Sequence, residues 1–328
     1  MRRPLVLAAV PALAAALLLG ACGSSEPVDT EPAAARAAAQ PVSVTDARDK
    51  EVRLDAPAAK VVALEWGMAE NLVTLGVMPV GVADVKGYST WVTAEKLDAS
   101  VKDVGTRSEP SVDSIVALDP DLVVATTDSA PALFSQLEKY VPVLALKGND
   151  ATRALPTLRD NLTTLATVTG TTEKATKALA DFDAALAAGK QKIAAAGATG
   201  KAFTMADGWK EGSSVSIRMY GPGSLLSDVA GELGLTNGWT KKGDPLYGLA
   251  QTDVEGLTGL GDVRFLYMGS DADGGDVFAD GLSGNAIWTS LPFVRSGQVH
   301  RLPDGIWMFG GPRSAQQFAD QVVRLFTA

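Results

Sequence analysis

The strongest constraint on the fold is a rhythm: short apolar runs alternate with short helical segments at both ends of the chain, and a long unbroken helical stretch separates the two. Val61-Val62-Ala63-Leu64, Val80-Gly81-Val82, Leu122-Val123-Val124-Ala125 and Val143-Leu144-Ala145-Leu146 read as buried strands. Residues 68–75, 111–118 and 133–140 read as helices between them. Such alternation builds a mostly parallel sheet covered by helices. Ahead of it, Val42 and Val44, then Val52 and Leu54, alternate around a polar stretch at 46–50, which predicts a hairpin. In the middle, Leu155, Leu158, Leu162 and Leu165 recur at helical spacing, as do Leu179, Phe182, Leu186 and Ile193, with Gly170 between the two sets. The second segment, 172–196, would be about 35 Å long at 1.5 Å per residue, enough to bridge two lobes. A coiled coil is the alternative, but its heptads are not sustained. Past 197–200 the alternation resumes: a strand at 202–206, a helix at 224–233, a strand at 263–268 and a closing helix at 315–326. The expectation is an α/β lobe over 41–150, a helical segment over 151–199 and a second α/β lobe over 200–328.

The first residues read as an address label. Arg2 and Arg3 precede an apolar run, and Leu19-Gly20-Ala21-Cys22 follows it. A basic start, a short apolar stretch and small residues before a cleavage point are the marks of an export signal. Cys22 is the single cysteine of the chain and sits where a lipoprotein signal places the residue that is acylated. The expectation is a signal at 1–21, a lipid anchor on Cys22 and a flexible tether over 22–40, rich in Ser, Glu, Pro and Ala. The plainer alternative is an ordinary signal peptide with a chance cysteine. Two acyl chains hold a protein on a bilayer where one does not. With one cysteine, no disulfide within the chain is possible, so a core must supply the stability.

The formal net charge is −9, and loss of Arg2 and Arg3 with an acid-free leader makes it −11. Nucleic acid and anionic surfaces are poor partners for such a chain. His300 is the single histidine and Cys22 the single cysteine, so no H-E-x-x-H or C-x-x-C pair can be assembled. His300 lies in an expected strand at 298–302 and is read as structural, which argues against a Ser-His-Asp triad. No phosphate-binding glycine loop occurs. Carboxylates are plentiful, which leaves a carboxylate-dependent hydrolase open as an alternative, though nothing in the spacing pairs two of them.

Aromatic residues in glycine-rich or polar stretches stand out: Trp66, Tyr88, Trp91, Trp209, Tyr220, Tyr247, Trp307 and Phe309. Rings in loops at strand ends suit a concave site between lobes. Trp239 and Trp288 are read as core rings instead. Arg107, in a short loop between Gly105 and Pro110, is the leading polar residue; its guanidinium could donate to the oxygens of an anionic or chelating ligand, or could simply pair with Asp103 or Glu109. There is also an internal echo. Asp113, in Ser111-Val112-Asp113-Ser114-Ile115, and Glu255, in Asp253-Val254-Glu255-Gly256-Leu257, each put an acid in the first turn of an expected helix before a strand. That placement complements the helix dipole whatever else it does.

Several segments together resemble the substrate-binding lipoproteins of iron-siderophore ABC transporters, and most closely the ferric hydroxamate-binding proteins. They are Val62-Ala63-Leu64-Glu65-Trp66, Pro79-Val80-Gly81-Val82-Ala83-Asp84, Asp103-Val104-Gly105-Thr106-Arg107-Ser108-Glu109-Pro110, Tyr220-Gly221-Pro222-Gly223-Ser224-Leu225, Leu291-Pro292-Phe293-Val294-Arg295-Ser296-Gly297 and Ile306-Trp307-Met308-Phe309-Gly310. The resemblance implies two Rossmann-like α/β lobes joined by one long helix, the class III periplasmic-binding-protein arrangement, with a shallow aromatic cleft between them. It implies a non-enzymatic monomer, without a cofactor of its own, that captures an iron(III)-siderophore complex and passes it to a membrane-embedded permease dimer. The residues expected at the ligand are Arg107, Trp91, Trp66, Tyr247, Trp307, Phe309, Met219 and Arg313. Asp113 and Glu255 are expected to dock on permease arginines. Two positions depart from the family's pattern: Thr127, Asp128 and Ser129 stand where it carries a cleft tyrosine, and Pro245 where it carries a polar residue. Haem, cobalamin or a catecholate siderophore are the alternative ligands, and a sensing or scaffolding lipoprotein the alternative role.

Overall fold

The structure, a computed structural model, describes residues 40–129, 131–212 and 214–328. The export signal, Cys22 and the tether up to residue 39 lie outside the described residues. The described residues form one compact unit.

A two-stranded antiparallel hairpin, β1 (Val42–Thr45) and β2 (Glu51–Leu54), opens it. The N-terminal sheet contains β3 (Val61–Ala63), β4 (Gly81–Val82), β5 (Lys102–Asp103), β6 (Leu122–Thr126) and β7 (Val143–Leu146). All its strands run parallel in the order β5-β4-β3-β6-β7. Its helices are α1 (Trp66–Thr74), α2 (Val85–Trp91), α3 (Val112–Val116) and α4 (Pro131–Leu137). Two longer helices follow, α5 (Ala154–Thr169) and α6 (Thr172–Ala195). Gly170 breaks them apart at φ +69°, a left-handed conformation that favours glycine at a helix end. The C-terminal sheet contains β8 (Ala202–Glu211), β9 (Ser214–Tyr220), β10 (Thr236–Asn237), β11 (Leu249–Thr252), β12 (Arg264–Tyr267) and β13 (Val299–Arg301). It runs in the order β11-β9-β8-β12-β13, with β10 alongside the start of β8. Helices α7 (Leu225–Glu232), α8 (Ala286–Ser290), α9 (Pro292–Arg295) and α10 (Pro312–Thr327) accompany it. The mixed α/β architecture of two sheets with helices is the one read from the sequence.

Strand alternation sorts the apolar side chains into three cores. Val61, Ala63, Leu122, Val124 and Leu144 of the first sheet share one continuous core with Phe203, Met205, Tyr220 and Leu266 of the second, through Leu162, Phe182, Ile193 and Phe318 of the helices. The opposite face of the first sheet packs Val62, Val123 and Ala145 against Ile115 and Leu137. The opposite face of the second packs Ile217, Met219 and Phe265 against Trp239, Phe278 and Trp288. Trp239 and Trp288 are therefore core rings.

Three local expectations change. The stretch 86–91 is a helix rather than a loop: Asp84 Oδ1 accepts from Gly87 N at 2.9 Å and Tyr88 is buried. The strand expected to end at 206 runs on to Glu211 and pairs with β9, so Trp209 and Tyr220 lie on strands. The helix expected after Asp253 is a single 3-10 turn, Glu255–Leu257.

Candidate functional site: an aromatic cleft with two paired arginines

The cleft is built where C-terminal strand ends and the segment before α10 come together. Glu65, two residues past the end of β3, caps α1: its Oε1 accepts from Trp66 N at 3.0 Å. Its other oxygen accepts from Arg107 Nε at 2.9 Å and Nη2 at 2.8 Å. The guanidinium carbon then lies 4.3 Å from the Trp66 ring centre and 5.3 Å from that of Trp307. One carboxylate thus fixes a helix start and the position of an arginine over two indoles, a cation–π arrangement. Burial pushes the Glu65 carboxyl above its usual range, against the pull of Arg107. Neither Asp103 nor Glu109 takes the arginine. Asp103 is occupied by Val85 N and Gly105 N.

The rings form a row. Trp91 and Trp307 have centroids 6.5 Å apart, Trp66 and Trp307 4.8 Å, Trp307 and Phe309 5.2 Å, and Phe309 and Tyr247 5.2 Å. The Trp66 indole is held by donation to Ala83 O at 3.0 Å. Backbone contact is tight beneath the row: a Cβ on Gly67 would collide with the Phe309 carbonyl oxygen. At each end a hydrogen bond joins the N-terminal part to the C-terminal part. Tyr247 Oη donates to Asp128 Oδ2 at 3.0 Å, and Trp91 Nε1 donates to Asp273 Oδ2 at 3.3 Å. Burial and the neighbouring Asp128 push the Tyr247 hydroxyl well above its usual range.

The structure therefore brings Arg107, Trp66, Trp91, Trp307, Phe309 and Tyr247 together, and leaves two expected residues out. Met219 is fully buried in the outer core of the C-terminal sheet. Successive residues of a strand face opposite ways, so Val215, Ile217 and Met219 point to that core while Arg218 points to the cleft. Arg313, at the start of α10, lies 3.9 Å from Glu95 and 3.7 Å from Asp181, on the helical side and not in the cleft lining. Asp113 and Glu255 are both exposed, in the first turn of α3 and in the 3-10 turn.

The residue missed from sequence is Arg218. Its Nε donates to Asp207 Oδ1 at 2.9 Å and its Nη2 to Asp207 Oδ2, across the β8–β9 pair. Tyr220 Oη donates to the same carboxylate at 3.0 Å. Burial opposes the charge on Arg218, but Tyr220 and Asp207 raise its pKa further still. The V-x-I-x-M spacing of β9 held the signal, since it marks the intervening residues as facing the other way.

Two adjoining hollows share Arg107. One, of about 520 Å³, is bordered by Trp66, Trp91, Trp209, Trp307 and Arg218. The other, of about 1150 Å³, is bordered by Glu65, Asp128 and the loop around Arg107. Among the described residues no group of three or more His, Cys, Asp or Glu side chains is arranged to hold a metal ion. What the lining offers is broad ring faces, arginine N–H donors and carboxylates.

A family model described as periplasmic binding protein matches residues 61–305. The iron(3+)-hydroxamate-binding protein FhuD of Escherichia coli is 29% identical over 259 residues, covering 79% of this chain and 84% of that protein. The probable siderophore-binding lipoprotein YfiY of Bacillus subtilis is 26% identical over 327 residues, covering 96% and 95%. Among solved structures, the siderophore-binding protein FhuD from Vibrio cholerae with bound Fe3+–Desferal superimposes with a TM-score of 0.69 at 25% identity, over 82% of this chain and 98% of that one.

Proposed function

We propose that this chain, which belongs to the periplasmic binding protein family, captures a ferric siderophore of the hydroxamate type and delivers it to an ABC permease. The observation that carries the reading is the row of rings from Trp91 to Tyr247 with Arg107 stacked at its centre. A ferric trishydroxamate has a polar, oxygen-rich metal face and apolar methylene arms. Ring faces take up the arms, burying apolar area. Arg107, with Nε and Nη2 committed to Glu65, keeps Nη1 to donate to the chelate oxygens. The iron stays with its six siderophore oxygens, which suits a lining without a clustered ligand set. The relatives' names support this ligand class.

Delivery follows from placement. Cys22, acylated, would hold the protein on the outer face of the cytoplasmic membrane, and the tether would give it reach. Asp113 on one lobe and Glu255 on the other would meet basic residues of the two permease subunits.

Tryptophan fluorescence titration of the purified protein with ferrioxamine B and with a neutral ferric trishydroxamate tests the reading. Saturable quenching at micromolar ligand or below is expected. Quenching by haem or a ferric catecholate with none by either hydroxamate would overturn it.

A further inference from the structure

The charges around the cleft carry information about the ligand that the rings do not. The two arginines are already neutralised, each on its own lobe: Arg107 by Glu65, Arg218 by Asp207. Glu65 is largely buried, so an anionic ligand that drew Arg107 away would leave an unpaired buried carboxylate, which is costly. The arginines therefore serve as hydrogen-bond donors within neutral pairs rather than as hooks for an anion. Outside the pairs, the hollows are bordered by Asp84, Glu109, Asp128 and Asp273 against Lys210 alone, a formal balance of −3. Were Glu65 protonated, Arg107 would stand unpaired and the balance would still be −2. Asp128 and Asp273 sit at the two ends of the ring row, held there by Tyr247 Oη and Trp91 Nε1. Both of those donors are neutral, so neither brings a positive charge to offset the carboxylates. Next to Asp273, in the same hollow, Trp91 and the exposed Trp209 present indole faces, which attract cations and not anions.

We infer that the cleft selects among ferric hydroxamates by net charge, cationic above neutral above anionic, and that Asp128 and Asp273 carry the preference. The inference rests on the siderophore reading above and specifies which members of that class bind best.

A matched ligand series separates the two claims. Ferrioxamine B carries a free ammonium and one net positive charge; N-acetylation makes the same chelate neutral, and N-succinylation makes it a monoanion. The iron centre is unchanged throughout. Against a lining of this charge at contact distances in a water-like medium, affinity should fall about threefold to tenfold at each step in low salt. The spread should narrow as salt shortens the reach of the field. In the Asp128→Asn, Asp273→Asn double variant it should narrow at low salt as well. If none of the three chelates binds, the siderophore reading fails. If all three bind the wild-type protein equally, the siderophore reading stands and charge selection is overturned. If the spread is the same in the double variant, the preference does not come from these two acids, and that half of the inference is refuted.

Discussion

Glu70 is an ionisable residue with no exposed surface that the binding site does not use, and it gives the structure its sharpest test. It sits on α1 and accepts from Ser314 N at 2.9 Å and Ser314 Oγ at 2.7 Å. Helix α10 needs this. Its N-cap is Gly311, which has no side chain, and Pro312 has no N–H, so a carboxyl 244 residues away supplies the cap. Burial raises the pKa from 4.5 to about 7, against the Ser314 hydrogen bonds that lower it, and Glu95 raises it further. Tyr88, Glu95 and Arg313 are the other titratable groups around it. Because the folded pKa lies above the unfolded one, the folded state binds the extra proton between the two. The stability linked to that proton is complete below pH 4.5 and is lost as pH rises through 7. A displacement of that size corresponds to about 3 kcal/mol. Glu70→Gln keeps the shape and an acceptor and removes the titration. Urea unfolding of both proteins between pH 4.5 and pH 8, followed by tryptophan fluorescence, reads the difference directly, since the other groups titrate alike in the two and cancel. The variant should gain about 3 kcal/mol relative to wild type across that range. A difference that stays flat would mean that Glu70 titrates like an exposed carboxyl, and that burial does not control it.

Other outcomes follow from the same geometry. Arg107→Gln removes the guanidinium from the chelate and strands the buried Glu65, so ferric hydroxamate affinity should drop about tenfold to hundredfold, the worth of a charged hydrogen bond; unchanged affinity in the fluorescence titration would remove Arg107 from the site. Met219→Ala should cost about 2–4 kcal/mol in urea unfolding, as buried methionine truncations do, and leave the dissociation constant alone; a weakened ligand with intact stability would return Met219 to the cleft. Asp113→Lys with Glu255→Lys should abolish iron-siderophore uptake in cells while purified protein binds ligand normally, because both side chains are exposed and border no ring of the row. Normal uptake would dismiss the docking role.

Much of the frame was legible because local physics decides it. Four-residue apolar runs such as Val143–Leu146 can only be buried strands here, and Gly170 had to end α5 because a left-handed residue was needed there. The helix expected over 172–196 is α6, Thr172–Ala195. What was not legible depends on partners far along the chain or on two-sided exposure. Trp209-Lys210-Glu211 reads as a polar loop because the end of the β8–β9 ribbon is exposed on both faces. Residues 85–91 contain a glycine, and the helical spacing of Val85, Tyr88 and Trp91 covers only two turns, so the Asp84 cap and the burial of Tyr88 are what reveal a helix. The local sequence offers Arg107 acids two and four residues away as ion-pair partners, but the carboxylate it pairs with is 42 residues distant. Met219 is expected at the ligand and Arg218 is not, and a shift of one residue on a strand exchanges the cleft face for the core face.

The continuity of the central core bears on how the cleft can discriminate. Side chains from both sheets meet in one apolar cluster through α5, α6 and α10, so moving one lobe widely against the other would expose that cluster to water. The rim, by contrast, is closed by two hydrogen bonds, Tyr247 to Asp128 and Trp91 to Asp273, each worth on the order of 1 kcal/mol. A ligand can displace such contacts without disturbing the core, which favours small rim adjustments over wide hinge closure. A cleft that does not reshape around its ligand must distinguish ligands by what already lines it. On the proposed reading that means ring faces for the apolar arms, guanidinium N–H groups for the chelate oxygens, and carboxylates without a cationic partner that would set which net charge is welcome.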